Sequence, residues 1–199
     1  MNYLAHAYLS FGYSELLVGN LISDFVKGSS QYTFPQKIKQ GIDLHRAIDT
    51  FTDAHQATKA AKEFFRPAYR LYSAAFVDVV YDHFLANDPL HFTPTSLHNF
   101  SQSTYRHLND FHSHLPPRFA EMFPYMQSQN WLYYYHTTGG TIKSFGGVVR
   151  RAAYLSDSQP AAEVFHKYYS ELQGCYNAFF PELYEFVKER LLRVTGYGL

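Results

Sequence analysis

Apolar residues recur at helical spacing along most of this 199-residue chain, and Pro, Gly and Ser separate the segments that carry the pattern. One such segment, FPQKIKQGIDLHRAIDTFTDAH, has a proline near its start, which the first turn of a helix tolerates. Alternation of apolar and polar residues, the pattern of a half-buried strand, is scarce, and the Val-rich FVDVV lies inside a segment of helical length. The sequence therefore predicts an all-α protein, a single-domain helical bundle of about seven helices over residues 1–199.

Several residues suggest where individual helices begin and end. Ser14 is a suitable N-cap for the segment SELLVGNLISDFVKGSS, and Gly28 is a suitable residue to end it. Pro181 interrupts the long C-terminal pattern and should end or kink a helix there, because proline lacks the backbone N–H that a helix interior needs.

Composition excludes some classes of protein. The chain has 17 Lys and Arg against 17 Asp and Glu, whereas a dedicated nucleic-acid-binding domain is normally basic. The single cysteine, Cys175, rules out an internal disulfide framework and a Cys-based zinc site, and we expect it to be a packed thiol. We find no signal-peptide pattern and no apolar run long enough to span a membrane, so we expect a cytoplasmic protein without membrane or nucleic-acid partners.

A column of ionisable residues follows one edge of a predicted helix in the stretch GIDLHRAIDTFTDAH. His45, Asp49 and Asp53 are spaced four residues apart, so consecutive members lie about 40° apart around the helix axis. The neighbouring arc carries Leu44 and Ile48. The column therefore borders the buried face instead of opposing it.

The same spacing occurs in two other predicted helices. Asn20 and Asp24 lie among leucines in ELLVGNLISDFV, and Asp78 and Asp82 lie in AAFVDVVYDHFL. The second segment has no solvent-facing polar arc of ordinary width, so its aspartates should be buried or half-buried.

Burying unpaired carboxylates costs several kcal/mol, so a positive group must lie among them. A divalent cation held by imidazole nitrogens and carboxylate oxygens is the most economical solution. The alternative is that the aspartates cap neighbouring helices or pair with Arg46 and Arg70. His6, in NYLAHAYL, is compatible with either a ligand role or a hydrogen-bonded core position.

Two other stretches are weaker candidates. The histidines after Pro94 do not share one helical face, which disfavours a metal cluster built from His98, His107, His112 and His114. The stretch TTGGTIKSFGGVVRR matches neither the P-loop nor the dinucleotide fingerprint, although Arg150 and Arg151 could reach a phosphate.

The segments MNYLAHAYLS, GNLISDFVKG, GIDLHRAIDTFTD and FRPAYRLYSAAFVDVVYDHFLA resemble the acyl carrier protein phosphodiesterase family, and the resemblance continues through LPPRFAEMFPYMQSQNWLYYY. It implies removal of 4′-phosphopantetheine from the serine of holo-acyl carrier protein. It also implies the all-α fold of the His-Asp metal-dependent phosphohydrolase class and a divalent metal. Mn²⁺ is the expected ion, with Mg²⁺, Fe²⁺ and Co²⁺ as alternatives.

The resemblance also assigns site residues. The positions that match the family's motifs are His6, Asn20, Asp24, His45, Arg46, Asp49, Asp53, Asp78, Asp82 and His83. One departure from the wider class is that the chain has no adjacent His-Asp pair in that order and has the reverse, Asp82-His83.

These positions suggest distinct roles. We predict as metal ligands His45, Asp49, Asp24 and Asp82, followed by His6 and His83. We predict proton transfer or catalysis by Asp24, Asp53 and His83, and neutralisation of phosphate charge by Arg46. Substrate binding is assigned to Asn20, Lys27, Arg46 and Asp78, and the basic residues Lys27, Lys37 and Lys39 suit docking of an acidic carrier protein.

Two other functions remain open from the sequence alone. The same metal site would suit a phosphohydrolase that acts on a nucleotide or another small phosphodiester. An aromatic-rich, non-catalytic binding protein with internally paired aspartates is the alternative from another class.

Overall fold

The computed structural model describes residues 1–195, which form α-helices joined by short loops and turns of 3-10 helix. The α-helices of this range are α1 Tyr3–Tyr8, α2 Ser14–Ile22, α3 Gln36–Ala54, α4 Gln56–Tyr69, α5 Ser73–Ala86, α6 Pro94–Asp110, α7 Pro117–Ser128, α8 Trp131–Tyr134, α9 Thr138–Arg151, α10 Gln159–Lys167 and α11 Tyr169–Thr195. The all-α prediction is confirmed, and residues 1–195 contain no β-strand.

Residues 1–195 contain eleven α-helices, and the predicted number of about seven matches the seven that have twelve residues or more. The additional short helices arise because the chain breaks helices where sequence periodicity alone would join them. Between α4 and α5, for example, Arg70 adopts a left-handed φ of 46° and opens a 3-10 turn.

Two helix boundaries differ from those predicted. α2 ends at Ile22, well before Gly28, and Ser14 is its first residue, one position after the N-cap. α11 continues through Pro181, with Phe180 and Leu183 fully buried on either side of it. Burial of these neighbours offsets the hydrogen bond that proline removes.

Helix α5 lies at the centre of the core. Its residues Phe76, Val80 and Phe84 are buried, and α5 packs against α1, α4, α9 and α11. One continuous hydrophobic cluster joins these helices to the rest, from Leu4 in α1 to Leu191 in α11. No helix within residues 1–195 combines the length and apolar composition that a bilayer span requires.

Helices α2 and α3 cross with their backbones in direct contact. A Cβ atom at Gly19 would overlap the carbonyl oxygen of Ile38, and one at Gly41 would overlap the carbonyl oxygen of Leu16. Only glycine fits at either position. This close approach brings the backbone of α2 within hydrogen-bond distance of side chains on α3, which matters for the site described below.

The close contact predicts a large cost for a single methyl group. Gly41→Ala should lower the free energy of unfolding by about 3 kcal/mol, because the added Cβ meets backbone atoms that cannot rotate away. Urea denaturation followed by circular dichroism would measure it. The matched control is Gly174→Ala in α11, where a Cβ meets nothing within 4 Å, and where alanine should stabilise the helix by about 0.5–1 kcal/mol. Equal effects of the two substitutions would contradict this account.

Candidate metal centre

Two histidines from different helices stack face to face in the interior. The rings of His6 in α1 and His45 in α3 have centroids 3.9 Å apart and an interplanar angle of 14°. Both residues are buried, at 2% and 5% exposure. Two imidazoles in such contact cannot both carry a positive charge without strong repulsion.

Asn20 of α2 holds both rings by their Nδ1 atoms. His6 Nδ1 lies 2.8 Å from the Asn20 side-chain oxygen, and His45 Nδ1 lies 2.7 Å from the Asn20 backbone oxygen. The Asn20 amide nitrogen donates to the His6 carbonyl (2.7 Å) and to the Ser10 hydroxyl (3.1 Å), which sets the orientation of the amide. Each Nδ1 faces an oxygen that can only accept, so a proton on each Nδ1 gives a hydrogen bond to Asn20. In that tautomer of the neutral imidazoles, the lone pairs reside on Nε2, and His6 Nε2 also lies 3.1 Å from the Met1 carbonyl oxygen.

Both Nε2 atoms face Asp49. The distances are 3.3 Å from His6 and 3.1 Å from His45, each to a different oxygen of the carboxylate. One potential ligand atom from each of His6, His45 and Asp49 lies within 4.8 Å of the other two. The exposed Asp24, in the 3-10 turn Ser23–Phe25, places an oxygen 3.1 Å from His45 Nε2. Imidazoles oriented by outer hydrogen bonds and facing a carboxylate are the usual arrangement around a bound metal ion, so the residues fit a divalent cation.

The charges in the cluster are strongly coupled. Burial lowers the pKa of His45, but Asp24 and Asp49 outweigh this effect and raise it to about 9. Burial and the neighbouring His45 lower the pKa of His6 to about 4. Burial raises the pKa of Asp49, yet its close contacts with both histidines bring it well below its usual range. Without a metal ion, the cluster thus takes up a single imidazolium proton, which a cation would replace.

The α-amino group of Met1 is a further positive charge at this site. It is buried, lies 2.9 Å from an Asp78 oxygen and 3.6 Å from an Asp49 oxygen, and has its pKa raised to about 10, because these carboxylates outweigh the effect of burial. Asp78 therefore adjoins the cluster through an ion pair. No side-chain pattern in the sequence points to this positive charge, because it belongs to the backbone amine.

Asp82 occupies a different position from the one predicted. It is fully buried, and its two oxygens accept hydrogen bonds from the backbone N–H groups of Leu4 (2.7 Å) and Ala5 (3.2 Å). Burial raises its pKa to about 7 against the effect of these hydrogen bonds. This placement favours a structural role for Asp82 over the predicted ligand role: it caps the first turn of α1, the helix that carries His6.

His83 also lies apart from the cluster. Its Nδ1 is 2.8 Å from the Tyr135 carbonyl oxygen and its Nε2 is 2.9 Å from the Tyr169 hydroxyl. One step along α5 rotates the side chain by about 100° relative to Asp82, towards α9 and α11. The predicted ligand and proton-transfer roles of His83 are not supported by this placement.

Three further predicted residues are exposed and outside the cluster. Asp53 pairs with Lys62 at 3.2 Å, because one more turn of α3 carries it away from the interior. Arg46 donates to Gln31 and lines a separate groove between α3 and α11. Lys27 follows the Asp24 turn and faces solvent.

A cavity of about 770 Å³ lies at the start of α1, and its lining does not include His6, His45 or Asp49. It begins at Asn2 and Tyr3, just before His6 in the chain, and extends along α8 and α9. Its lining combines aromatic rings with cationic side chains, among them Trp131, Tyr134, Tyr135, Lys143, Arg150 and Arg151. The sequence suggested the two arginines as phosphate contacts but carried no signal that these aromatic residues would share a cavity with them.

Comparison with known proteins matches residues 1–183 to the family model described as acyl carrier protein phosphodiesterase. This chain belongs to that family. Relatives named acyl carrier protein phosphodiesterase include one from Klebsiella pneumoniae (strain 342), 31% identical over 193 residues, which are 96% of this chain and all of the relative. One from Yersinia pestis is 31% identical over 92% of this chain and 95% of its own length. One from Escherichia coli (strain 536 / UPEC) is 29% identical over 96% and 100%.

The match to the acyl carrier protein phosphodiesterase family includes both the cluster and the cavity, since α1, α2, α3, α8 and α9 all lie within residues 1–183. No solved structure matches the chain. The resemblance to the His-Asp phosphohydrolase class therefore stays a prediction.

The positions of Asp82 and Asp53 predict a large effect on stability for one and a small effect for the other. Asp82→Ala removes the acceptor for two buried N–H groups and should lower the free energy of unfolding by about 2 kcal/mol or more. Asp53→Ala removes one exposed ion pair and should change it by less than about 1 kcal/mol. Urea denaturation of chelator-treated protein would compare them without a contribution from bound metal. A stability cost at Asp53 as large as at Asp82 would refute these assignments.

Proposed function

We propose that this protein hydrolyses the phosphodiester that joins 4′-phosphopantetheine to the serine of holo-acyl carrier protein, giving the apo form, and that it uses a divalent cation, with Mn²⁺ as the expected ion. Family membership supports the activity. The metal requirement rests on one observation, the convergence of His6 Nε2, His45 Nε2 and an Asp49 oxygen in one small space.

The proposed ligands are His6, His45 and Asp49, with Asp24 adjacent. When bound, a divalent cation neutralises phosphate oxygens and lowers the pKa of a coordinated water. The protein's own residues orient the site: Asn20 keeps both Nδ1 atoms protonated, so both Nε2 lone pairs are available. The carboxylate of Asp49 supplies negative charge between the two rings.

Asp24 is the best candidate for proton transfer. Its side chain is 71% exposed and lies 3.1 Å from His45 Nε2, at the border between the buried rings and solvent. Its pKa is lowered, chiefly by the hydrogen bond with His45, so it is a carboxylate at neutral pH. A carboxylate there can accept a proton from an attacking water and pass it towards the departing serine oxygen.

The carrier protein would approach the exposed side of this border. Lys27 lies three residues after Asp24 and faces solvent, while Lys37 and Lys39 pair with Glu15 and Asp43. Lys27 is therefore the strongest of the predicted docking residues for an acidic partner, since charge complementarity raises the encounter rate. We therefore propose that acyl carrier protein is the macromolecular partner and that the protein acts in the cytoplasm.

The test of function is mass spectrometry of holo-acyl carrier protein incubated with the enzyme and Mn²⁺, with loss of the prosthetic arm as the readout. Asp49→Ala should lower the rate about 100-fold or more, and chelator should abolish it. Asp43→Ala is the matched control: it lies on the same helix with 44% side-chain exposure against 42% for Asp49, and it should stay within about twofold of wild type. Faster cleavage of a generic chromogenic phosphodiester than of holo-carrier protein would favour the small-phosphodiester alternative.

Asn20 provides a separate test of the metal site. Asn20→Ala removes the acceptor for His6 Nδ1–H and should weaken Mn²⁺ binding about 10- to 100-fold, because the ring loses its orientation. Calorimetric titration of the metal-free protein would measure it. Ser10→Ala, which removes only one partner of the Asn20 amide nitrogen, should have a much smaller effect. Unchanged Mn²⁺ affinity in Asn20→Ala would argue against His6 as a ligand.

A further inference from the structure

Arg150 and Arg151, in the last turn of α9, turn their guanidinium groups back over the same helix. A Cβ atom at Gly147 would lie 3.6 Å from Nη1 of Arg151 and 3.7 Å from Nη2 of Arg150. Within residues 1–195, neither arginine forms an ion pair or a hydrogen bond with a carboxylate. Two adjacent positive charges with no acidic partner attract an anion, and the planar guanidinium is well shaped to bind phosphate.

The remaining walls of this cavity suit a long and mostly uncharged chain. Trp131 and Tyr135 supply aromatic surface, and Ser144 and Gln129 supply a few polar groups. Apolar walls with a few placed polar groups are typical of pockets for small organic ligands, and a volume of 770 Å³ falls in their usual range. A pantetheine arm has this character, because two amides alternate with short aliphatic segments along its length.

The start of the chain connects this cavity with the candidate metal centre. Asn2 and Tyr3 line the cavity, and the carbonyl oxygen of Met1, just before them, lies 3.1 Å from His6 Nε2. Burial raises the Tyr3 pKa to about 12, so its hydroxyl is neutral at physiological pH. A phosphate bound at this end of the cavity would therefore lie close to the start of α1, the helix that carries His6.

We propose that the cavity between α8 and α9 binds the pantetheine arm of the substrate, and that Arg150 and Arg151 bind the phosphate at the end of that arm. This inference rests on the proposed function and names the part of the protein that recognises the substrate. It also moves phosphate recognition from Arg46, which lines another groove, to the end of α9.

Trp131 makes the test direct, because it is the only tryptophan in the chain and it lines the cavity. Wild type is titrated with 4′-phosphopantetheine and with pantetheine, which lacks the phosphate, using tryptophan fluorescence and calorimetry in the presence of chelator. We expect both ligands to bind and to change the Trp131 emission. We expect 4′-phosphopantetheine to bind at least about tenfold more tightly than pantetheine, because its phosphate would accept charge-assisted hydrogen bonds from the arginines.

Arg150→Gln and Arg151→Gln should each weaken 4′-phosphopantetheine binding about tenfold and leave pantetheine binding within about twofold. The matched control is Arg106→Gln, an exposed arginine on α6 that does not line this cavity and should bind both ligands as wild type does. Thermal unfolding of each variant would check that it is folded. In steady-state assays, Arg151→Gln should raise KM for holo-carrier protein.

The outcomes separate this inference from the proposed function. Hydrolysis of holo-carrier protein together with unchanged 4′-phosphopantetheine binding in both arginine variants would overturn the pocket assignment and leave the activity standing. Binding that is weakened by both variants, with no hydrolysis by wild type, would support the pocket and overturn the activity. Failure of wild type to bind either ligand would overturn the pocket assignment.

Discussion

The candidate site depends on the hydrogen bonds that Asn20 makes to two histidines at once. Its side chain accepts from His6 and its backbone carbonyl accepts from His45, so one residue orients ligands from two other helices. This is possible because Gly19 and Gly41 let α2 and α3 touch through their backbones. A side chain at either glycine would separate the helices and remove the Asn20 carbonyl from the reach of His45.

Charge balance explains how the remaining acidic residues are accommodated. Several carboxylates lie in or at the edge of the core because each has a different partner: Asp49 faces two imidazoles, Asp78 faces the Met1 ammonium, and the buried Asp82 faces backbone N–H groups. The first of these arrangements holds a single imidazolium proton between two stacked rings and a carboxylate, and a bound metal ion would replace that proton. The other two are complete without one, so they belong to the support of the site.

Substrate recognition and the chemical step would lie on neighbouring parts of the molecule. The histidines and Asp49 belong to the N-terminal helices, whereas the cavity belongs mainly to α8 and α9. The two regions meet at the start of α1, because Asn2 and Tyr3 line the cavity while the Met1 carbonyl oxygen lies 3.1 Å from His6 Nε2. A substrate that combines a phosphodiester with a long arm requires two such regions side by side.

Sequence periodicity was enough to predict the all-α class and the column of polar residues in α3, because both follow from the 3.6-residue repeat of a single helix. It also placed His45 and Asp49 together, since residues four apart on one helix are neighbours. It could not decide where helices break, as at Arg70, because that depends on a local backbone conformation that the packing of α4 and α5 stabilises.

Only the tertiary structure decided which residues meet across helices. Asp82 and Asp49 have the same side chain and a similar spacing pattern, yet one caps α1 and the other faces two histidines. The pairing of His6 with His45, separated by 39 positions in the sequence, and the union of Trp131 with Arg151 in one cavity are likewise set by helix packing. The physical reason is that a periodic pattern specifies a direction around one helix axis, whereas contact between helices depends on where their axes cross.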